Sequence, residues 1–259
     1  MRRAVVYSLI GILLPLGAWL FSLSPLGNAA KTESVSLFAY DEELMRVYNP
    51  AHPDVNAAGL RGGELDEDAL RIVFMGDSVS AGSSDVLAYP DILSQRYTRG
   101  ACQVLNASAH GYNLWRLYAA YERVVRPIAP DVVVIMAGSN EASGYRPGLA
   151  APIVEAGLRT LTTLIRDDGA EAILLIPPMA PPGVETFSPL WDRAAHYETF
   201  APALRAVQDA VEGVGGIDVS EGLTGADFAN TTHLNKSGHE KLADWLDKEL
   251  IADLCGNGQ

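Results

Sequence analysis

The feature that most constrains this chain is a repeated alternation. Five short apolar runs, at 72–75, 103–106, 132–137, 172–176 and 216–219, are separated by stretches of helical pattern at 90–97, 114–125, 151–166, 190–211 and 237–252. Runs this short and rich in β-branched residues read as strands buried on both faces. In the third helical stretch Ile153, Leu158, Leu161, Leu164 and Ile165 fall on one side of the cylinder, and Gly169 stands where such a helix stops. Strands joined through helices must run parallel, so the pattern predicts an α/β fold with five parallel strands covered on both faces.

A chain of 259 residues suffices for one such domain with a full core and is short for two. The formal charge of −13 argues against a nucleic-acid partner, which would require a basic face. The first thirty residues stand apart. Arg2 and Arg3 precede an uncharged apolar stretch over 4–26, and the next charge is Lys31. This is a positive segment followed by a hydrophobic one, and it predicts export. Small residues at 27–30 suit cleavage of a signal peptide, whereas the length of the apolar stretch suits a retained membrane anchor, and both remain open. Either way the body is expected outside the cytoplasm: periplasmic, membrane-tethered or secreted. The expected organisation is a signal or anchor over 1–30, an extension over 31–70 with an amphipathic helix at 38–47, and the α/β domain over 71–259. In an exported chain Cys102 and Cys255 are candidates for a disulfide tying the C-terminal tail to the sheet.

Four groups of chemically capable residues follow predicted strands. Gly76-Asp77-Ser78 follows the first, Asn106 to Gly111 the second, and Gly138-Ser139-Asn140-Glu141 the third. Thr231 to Asn235, including His233, follows the fifth and precedes the last helix. Carboxyl ends of parallel strands open onto one edge of a sheet, so these distant groups are expected to converge. A serine hydroxyl is a weak nucleophile until a base takes its proton, and His233 is a candidate for that base.

In this order, Gly76-Asp77-Ser78, Gly111, Gly138-Ser139-Asn140 and His233 resemble the four blocks of the SGNH hydrolases, also called the GDSL esterases and lipases. The likeness runs from about Arg71 to Leu250. The stretch over 56–62 is similar to a lead-in of some exported bacterial members. The resemblance implies a flavodoxin-like α/β/α sandwich and a serine esterase needing neither metal nor organic cofactor. It assigns Ser78 as nucleophile, His233 as general base, and the N–H groups of Ser78 and Gly111 with the Asn140 amide as an oxyanion hole. One position departs from the pattern. Where the family has aspartate, three residues before the histidine, this chain has Asn230. An amide can accept the imidazole N–H but brings no charge, and if turned round it would favour the wrong tautomer. Asp227 is the alternative acid if its loop bends suitably.

The expected reaction is hydrolysis of a carboxylic O-acyl ester through an acyl-serine, with a small-molecule or carbohydrate ester of the cell envelope or surroundings as substrate. Acyl transfer to a sugar hydroxyl is the first rival, and a non-catalytic glycan-binding or assembly protein, favoured by Asn230, the second. Among neighbouring residues Asp77 is expected to bond turn N–H groups, His110 is a candidate substrate contact, and His239 is expected on a solvated helix face. Tyr112, Trp115, Tyr145, Phe187 and Trp191 lie in or beside the loops that would frame the site. Trp115 shares a helical face with Leu114 and Tyr118 and is expected to pack.

Overall fold

The computed structural model describes residues 60–256 apart from 84, 99, 145–146, 185–192 and 220–221, with backbone alone at 142–144, 147–149 and 193–198. The expected leader over 1–30 and the helix at 38–47 lie outside the described residues, as do Tyr145, Phe187 and Trp191. Among the described residues no helix is long and apolar enough to cross a membrane.

Strand β1 (Leu70–Gly76) leads into a one-turn helix α1 (Ser78–Ala81) and then α2 (Tyr89–Arg96). Strand β2 (Cys102–Asn106) is followed by α3 (Leu114–Ala120), which runs on through a π turn and a 3-10 turn. Then come β3 (Val132–Met136), α4 (Ser139–Gly144), α5 (Pro147–Asp167), β4 (Glu171–Ile176), α6 (Arg193–Ala210) and β5 (Val214–Asp218). The last long helix is α7 (Lys236–Leu246). The five strands form one sheet in the order β2-β1-β3-β4-β5, every pair parallel. This order is that of the flavodoxin-like sandwich the resemblance implied, with β5 starting two residues before the run at 216–219.

Strands β2, β3 and β4 are buried on both faces, while the edge strand β5 is partly exposed. On one face Ile72, Phe74, Val104, Val134 and Ile173 pack with Leu93 of α2 and with Leu242 and Leu246 of α7. On the other, Ile135 and Leu174 meet Leu158 of α5 and Phe200 and Leu204 of α6. The strand order reverses between β1 and β3, and Gly76 pairs with Met136, so these two strands end level. A crevice at such a reversal is where folds of this kind receive ligands.

The disulfide between Cys102 and Cys255 is present, with Cα atoms 5.5 Å apart and 153 residues between them. Closing so long a loop restricts the unfolded chain and stabilises the fold by about 3–5 kcal/mol. A further brace comes from the segment over 60–62. Arg61 is 1% exposed, pairs with the buried Asp91 at 3.1 Å, and donates to the carbonyls of Ala81 and Ser108. Its backbone exchanges two hydrogen bonds with Asn106, whose side-chain amide donates to Asp91 at 2.8 Å. Buried charges persist only when paired and hydrogen-bonded, and this network meets both conditions. It fixes the loop after β2 from below.

Candidate active site

Asp77 follows β1 and caps the helix turn that begins at Ser78, its carboxylate accepting the Val79 N–H at 3.0 Å. Ser78 is therefore presented at the head of a rigid one-turn helix. The residues around His233 form a loop closed on itself. Phe228 pairs with Leu234 in an antiparallel bridge, and the Ala229 N–H donates to the His233 carbonyl at 2.8 Å. Gly238 lets α7 press against this loop, since a Cβ there would stand 2.1 Å from the Asp227 carbonyl oxygen. With both loops so placed, Ser78 Oγ and His233 Nε2 lie 2.9 Å apart across 155 residues of sequence.

Behind the imidazole, Asn230 Oδ1 lies 3.1 Å from His233 Nδ1. The same oxygen accepts the backbone N–H of Thr232 at 3.0 Å and of His233 at 2.9 Å. Two fixed backbone donors thus decide which end of the amide faces inward. A flipped amide would set its NH₂ against them. With oxygen toward the ring, Nδ1 carries the proton and Nε2 is left to accept from Ser78.

Asp227 does not serve as the alternative partner. Its carboxylate is buried and turned the other way, toward the Thr224 N–H and hydroxyl, the Ser237 hydroxyl and Lys241. Burial pushes this carboxyl up, but the Lys241, Thr224 and Ser237 contacts together outweigh it and hold it well below the usual range. It closes the capping box of a 3-10 turn at Gly225–Asp227 and helps anchor α7.

Gly111 occupies the third place of a turn over 109–112, closed by the Tyr112 N–H on the Ala109 carbonyl at 3.3 Å. Its φ of +67° is one that a residue with a Cβ adopts rarely. Asn140 reaches the same turn from the β3 side: its Nδ2 donates to the Tyr112 carbonyl at 2.6 Å. A primary amide has two N–H bonds, and this contact orients the nitrogen through one of them.

His110 is half-buried beside this group. Burial lowers the His233 pKa, and the nearby His110 charge lowers it further. His239 departs from expectation. It is 3% exposed, stacks on Tyr89 at a ring separation of 6.2 Å, and its Nδ1 accepts the Tyr89 N–H at 3.3 Å. The spacing of His239, Leu242, Ala243 and Leu246, all buried, marks the inner face of α7, and that periodicity was the available signal. Trp115 departs the other way. At 64% exposure it is not packed, but borders a groove of about 340 Å³ between α3 and α5 with Tyr118 and Ile153. The inner face of α3 is set by Leu114, Leu117 and Ala120, and Trp115, one residue and so about 100° round the helix from Leu114, points away from it.

Two groups under the site titrate in opposite senses. Burial pushes Asp77 up to about 6, with the Glu141 charge adding to it and the Val79 and Ser139 hydrogen bonds opposing. Burial pushes His239 down to about 4, and the His233 charge adds to this. Between pH 3.8 and about 6 the folded protein holds a proton on Asp77 that the unfolded chain releases, so this group makes stability fall as pH rises. Between about 4 and 6.5 the unfolded chain protonates His239 and the folded protein does not, so that contribution is complete above 6.5 and is lost as pH falls. The two slopes largely cancel. Asp77→Asn keeps the cap and removes the first, so thermal melts of that variant should lose about 3 kcal/mol more than wild type on going from pH 6.5 to 4. An identical pH dependence in the two proteins would show that Asp77 is not held protonated.

Residues 74–241 match the GDSL-like lipase/acylhydrolase family. The chain belongs to that family. This makes it an ester hydrolase by family. A search of characterised protein sequences finds no match. Among solved structures, a putative acylhydrolase from Bacteroides fragilis superposes with a TM-score of 0.55 at 17% identity, covering 75% of this chain and 92% of that one. Axe2, an acetylxylan esterase from Geobacillus stearothermophilus, gives 0.52 at 20% identity over 71% of this chain and 96% of its own. LAE5, an α/β hydrolase from the metagenome of Lake Arreo, Spain, gives 0.54 at 20% identity over 68% and 93%. At these identities the likeness is one of fold.

Proposed function

We propose that the protein hydrolyses a carboxylic O-acyl ester through an acyl-serine on Ser78, with His233 as its base. The observation that carries the reading is the Ser78 Oγ to His233 Nε2 contact at 2.9 Å, backed by an acceptor on Nδ1. In the forward step Oγ bonds to the ester carbonyl carbon while its proton passes to Nε2. The carbonyl oxygen gains the negative charge, and the N–H groups of Ser78 and Gly111 with the Asn140 amide offset it. As the carbon–oxygen bond to the alcohol breaks, His233 gives its proton to that alcohol. Water then repeats the sequence, His233 taking its proton, and releases the acid and free Ser78.

The acyl ester of a cell-envelope or extracellular carbohydrate is the proposed substrate. The charged-then-apolar leader pattern over 1–30 supports an extracytoplasmic location, and the Cys102–Cys255 disulfide suits an oxidising compartment. If the leader is retained it tethers the protein to the membrane. The acetylxylan esterase activity of Axe2 is consistent with a carbohydrate acyl ester. The test is acetate release from an acetylated oligosaccharide set beside turnover of a simple acetyl ester, with an unacetylated saccharide added as alternative acceptor. Acetate from the oligosaccharide supports the proposal. Acetyl appearing on the acceptor instead of in solution makes the protein a transferase, and no turnover of either ester removes the catalytic reading.

A further inference from the structure

We propose that Glu141 is a positioning residue for the oxyanion hole, acting through the loop that carries Gly111. The proposal rests on the reading of Ser78 as nucleophile and of Gly111 and Asn140 as donors to the oxyanion. Those last two groups come from different crossovers, the first after β2 and the second after β3. Their spacing is therefore not set by the strands alone, and something must lock one loop to the other.

Two adjacent side chains on α4 make that lock. Asn140 Nδ2 takes the Tyr112 carbonyl at 2.6 Å, and Glu141 Oε1 takes the Leu114 N–H at 2.6 Å. Leu114 is the first residue of α3, so its N–H has no partner within the helix. The N-cap Asn113 satisfies a different donor, the Arg116 N–H at 2.9 Å. The segment 112–114 is thus gripped at both ends by consecutive residues of the opposite loop. Gly111 sits one residue before it, and Arg116 Nη1 holds the Gly111 carbonyl at 3.0 Å. The upstream side of the same loop is pinned by Ala107 and Ala109, whose N–H groups reach the Phe74 and Gly76 carbonyls at 2.8 and 3.1 Å. Movement of the 112–114 segment away from α4 then requires breaking both the Asn140 and the Glu141 contacts.

The cost of this arrangement points to the same role. Glu141 is only 7% exposed, and its second oxygen has no hydrogen-bond partner among the described residues. Burial raises its pKa, against the pull of the Leu114 N–H and of its own backbone N–H. A helix start needs no such group, since an exposed serine or aspartate caps as well at no desolvation cost. What an exposed cap cannot do is tie the helix start to Asn140 through one peptide bond.

The test compares Glu141→Met, which fills the space but accepts no hydrogen bond, with Glu141→Gln, which keeps an acceptor oxygen at the same reach. Ser78→Ala is measured alongside on 4-nitrophenyl acetate. Glu141→Met should lower kcat about 30- to 100-fold with KM within about threefold, because misplaced oxyanion donors weaken the transition state and not substrate binding. Glu141→Gln should retain kcat to within about fivefold of wild type. In an Asn140→Ala background the Glu141→Met substitution should cost less than about threefold, since there is no longer a spacing to protect. If Glu141→Met does not fold, Glu141→Asp, whose oxygen falls one methylene short, takes its place with the same expectations. Ser78-dependent turnover with kcat unmoved by either variant overturns the proposal alone. So does equal impairment by Gln and Met, or full cost in the Asn140→Ala background. Turnover that survives Ser78→Ala would instead remove the reading on which the proposal rests.

Discussion

Replacing Ser78 by alanine should reduce ester turnover by at least about 10³-fold, and His233→Ala should do the same, with the double variant no worse than either. The reason for the shared floor is that the serine and the imidazole act as one unit. Without the hydroxyl there is no acyl-enzyme, and without Nε2 the hydroxyl keeps its proton at neutral pH. The 2.9 Å separation already places the two atoms at transfer distance, so no rearrangement is needed before attack. Residual activity would come from Gly111 and Asn140 polarising the carbonyl for direct attack by water. The measurement is steady-state hydrolysis of a chromogenic acetyl ester, paired with covalent labelling by an organophosphonate. Wild type should label at Ser78 and lose activity in step, while His233→Ala should label far more slowly. If Ser78→Ala keeps more than about a tenth of wild-type turnover, the acyl-serine mechanism is wrong.

Asn230→Asp should raise kcat/KM by about ten- to a hundredfold and move the acid limb of its pH profile upward. The amide oxygen in wild type already sits where a carboxylate oxygen would, receiving three donors: the N–H groups of Thr232 and His233 and the His233 ring. Geometry and tautomer are therefore intact, and what is missing is charge. In serine proteases the corresponding amide costs about 10⁴ in turnover because it selects the wrong tautomer. Here backbone donors prevent that, so the expected gain from restoring the acid is smaller. A carboxylate beside Nδ1 would also stabilise the imidazolium and raise the His233 pKa, which in wild type is lowered by burial and by His110. Since the base must be neutral to accept the Ser78 proton, wild type stays active to lower pH, and Asn230→Asp gives up that reach in exchange for rate. Kinetics at pH 4.5 to 8 check both parts at once. A variant that loses tenfold at neutral pH would mean the loop is built around the amide, with no room for an anion beside the ring.

How much of this was legible beforehand follows from the range of the interactions concerned. The five strands and their parallel order were visible because burial on both faces imposes composition directly on each run, as in Val132–Met136. Local pattern marked the strand-end groups holding Ser78, Gly111, Asn140 and His233, and the resemblance to the family's four blocks suggested the role of each. The choice between Asn230 and Asp227 was not, since both lie within a few residues of His233. Only the loop's closure, with Ala229 and Asn230 folded back onto the His233 carbonyl and Lys241 drawing Asp227 away, separates them. His239 and Trp115 differ from expectation through helical phase: His239 is polar but falls on the buried face of α7, and Trp115 lies about 100° from the buried Leu114 and Leu117 face of α3.

Taken alone, the order of residues determined which elements form and the edge of the sheet on which chemistry gathers, because strand burial and helical phase are local and written in side-chain type. The tertiary structure decided which groups touch. The 2.9 Å approach of Ser78 and His233, the inward amide oxygen of Asn230, and the grip of Glu141 on Leu114 each join residues whose pairing no local preference encodes. They depend on how loops from separate crossovers meet, and hydrogen bonds that are lost or made within a fraction of an ångström settle that only once the core beneath them is packed.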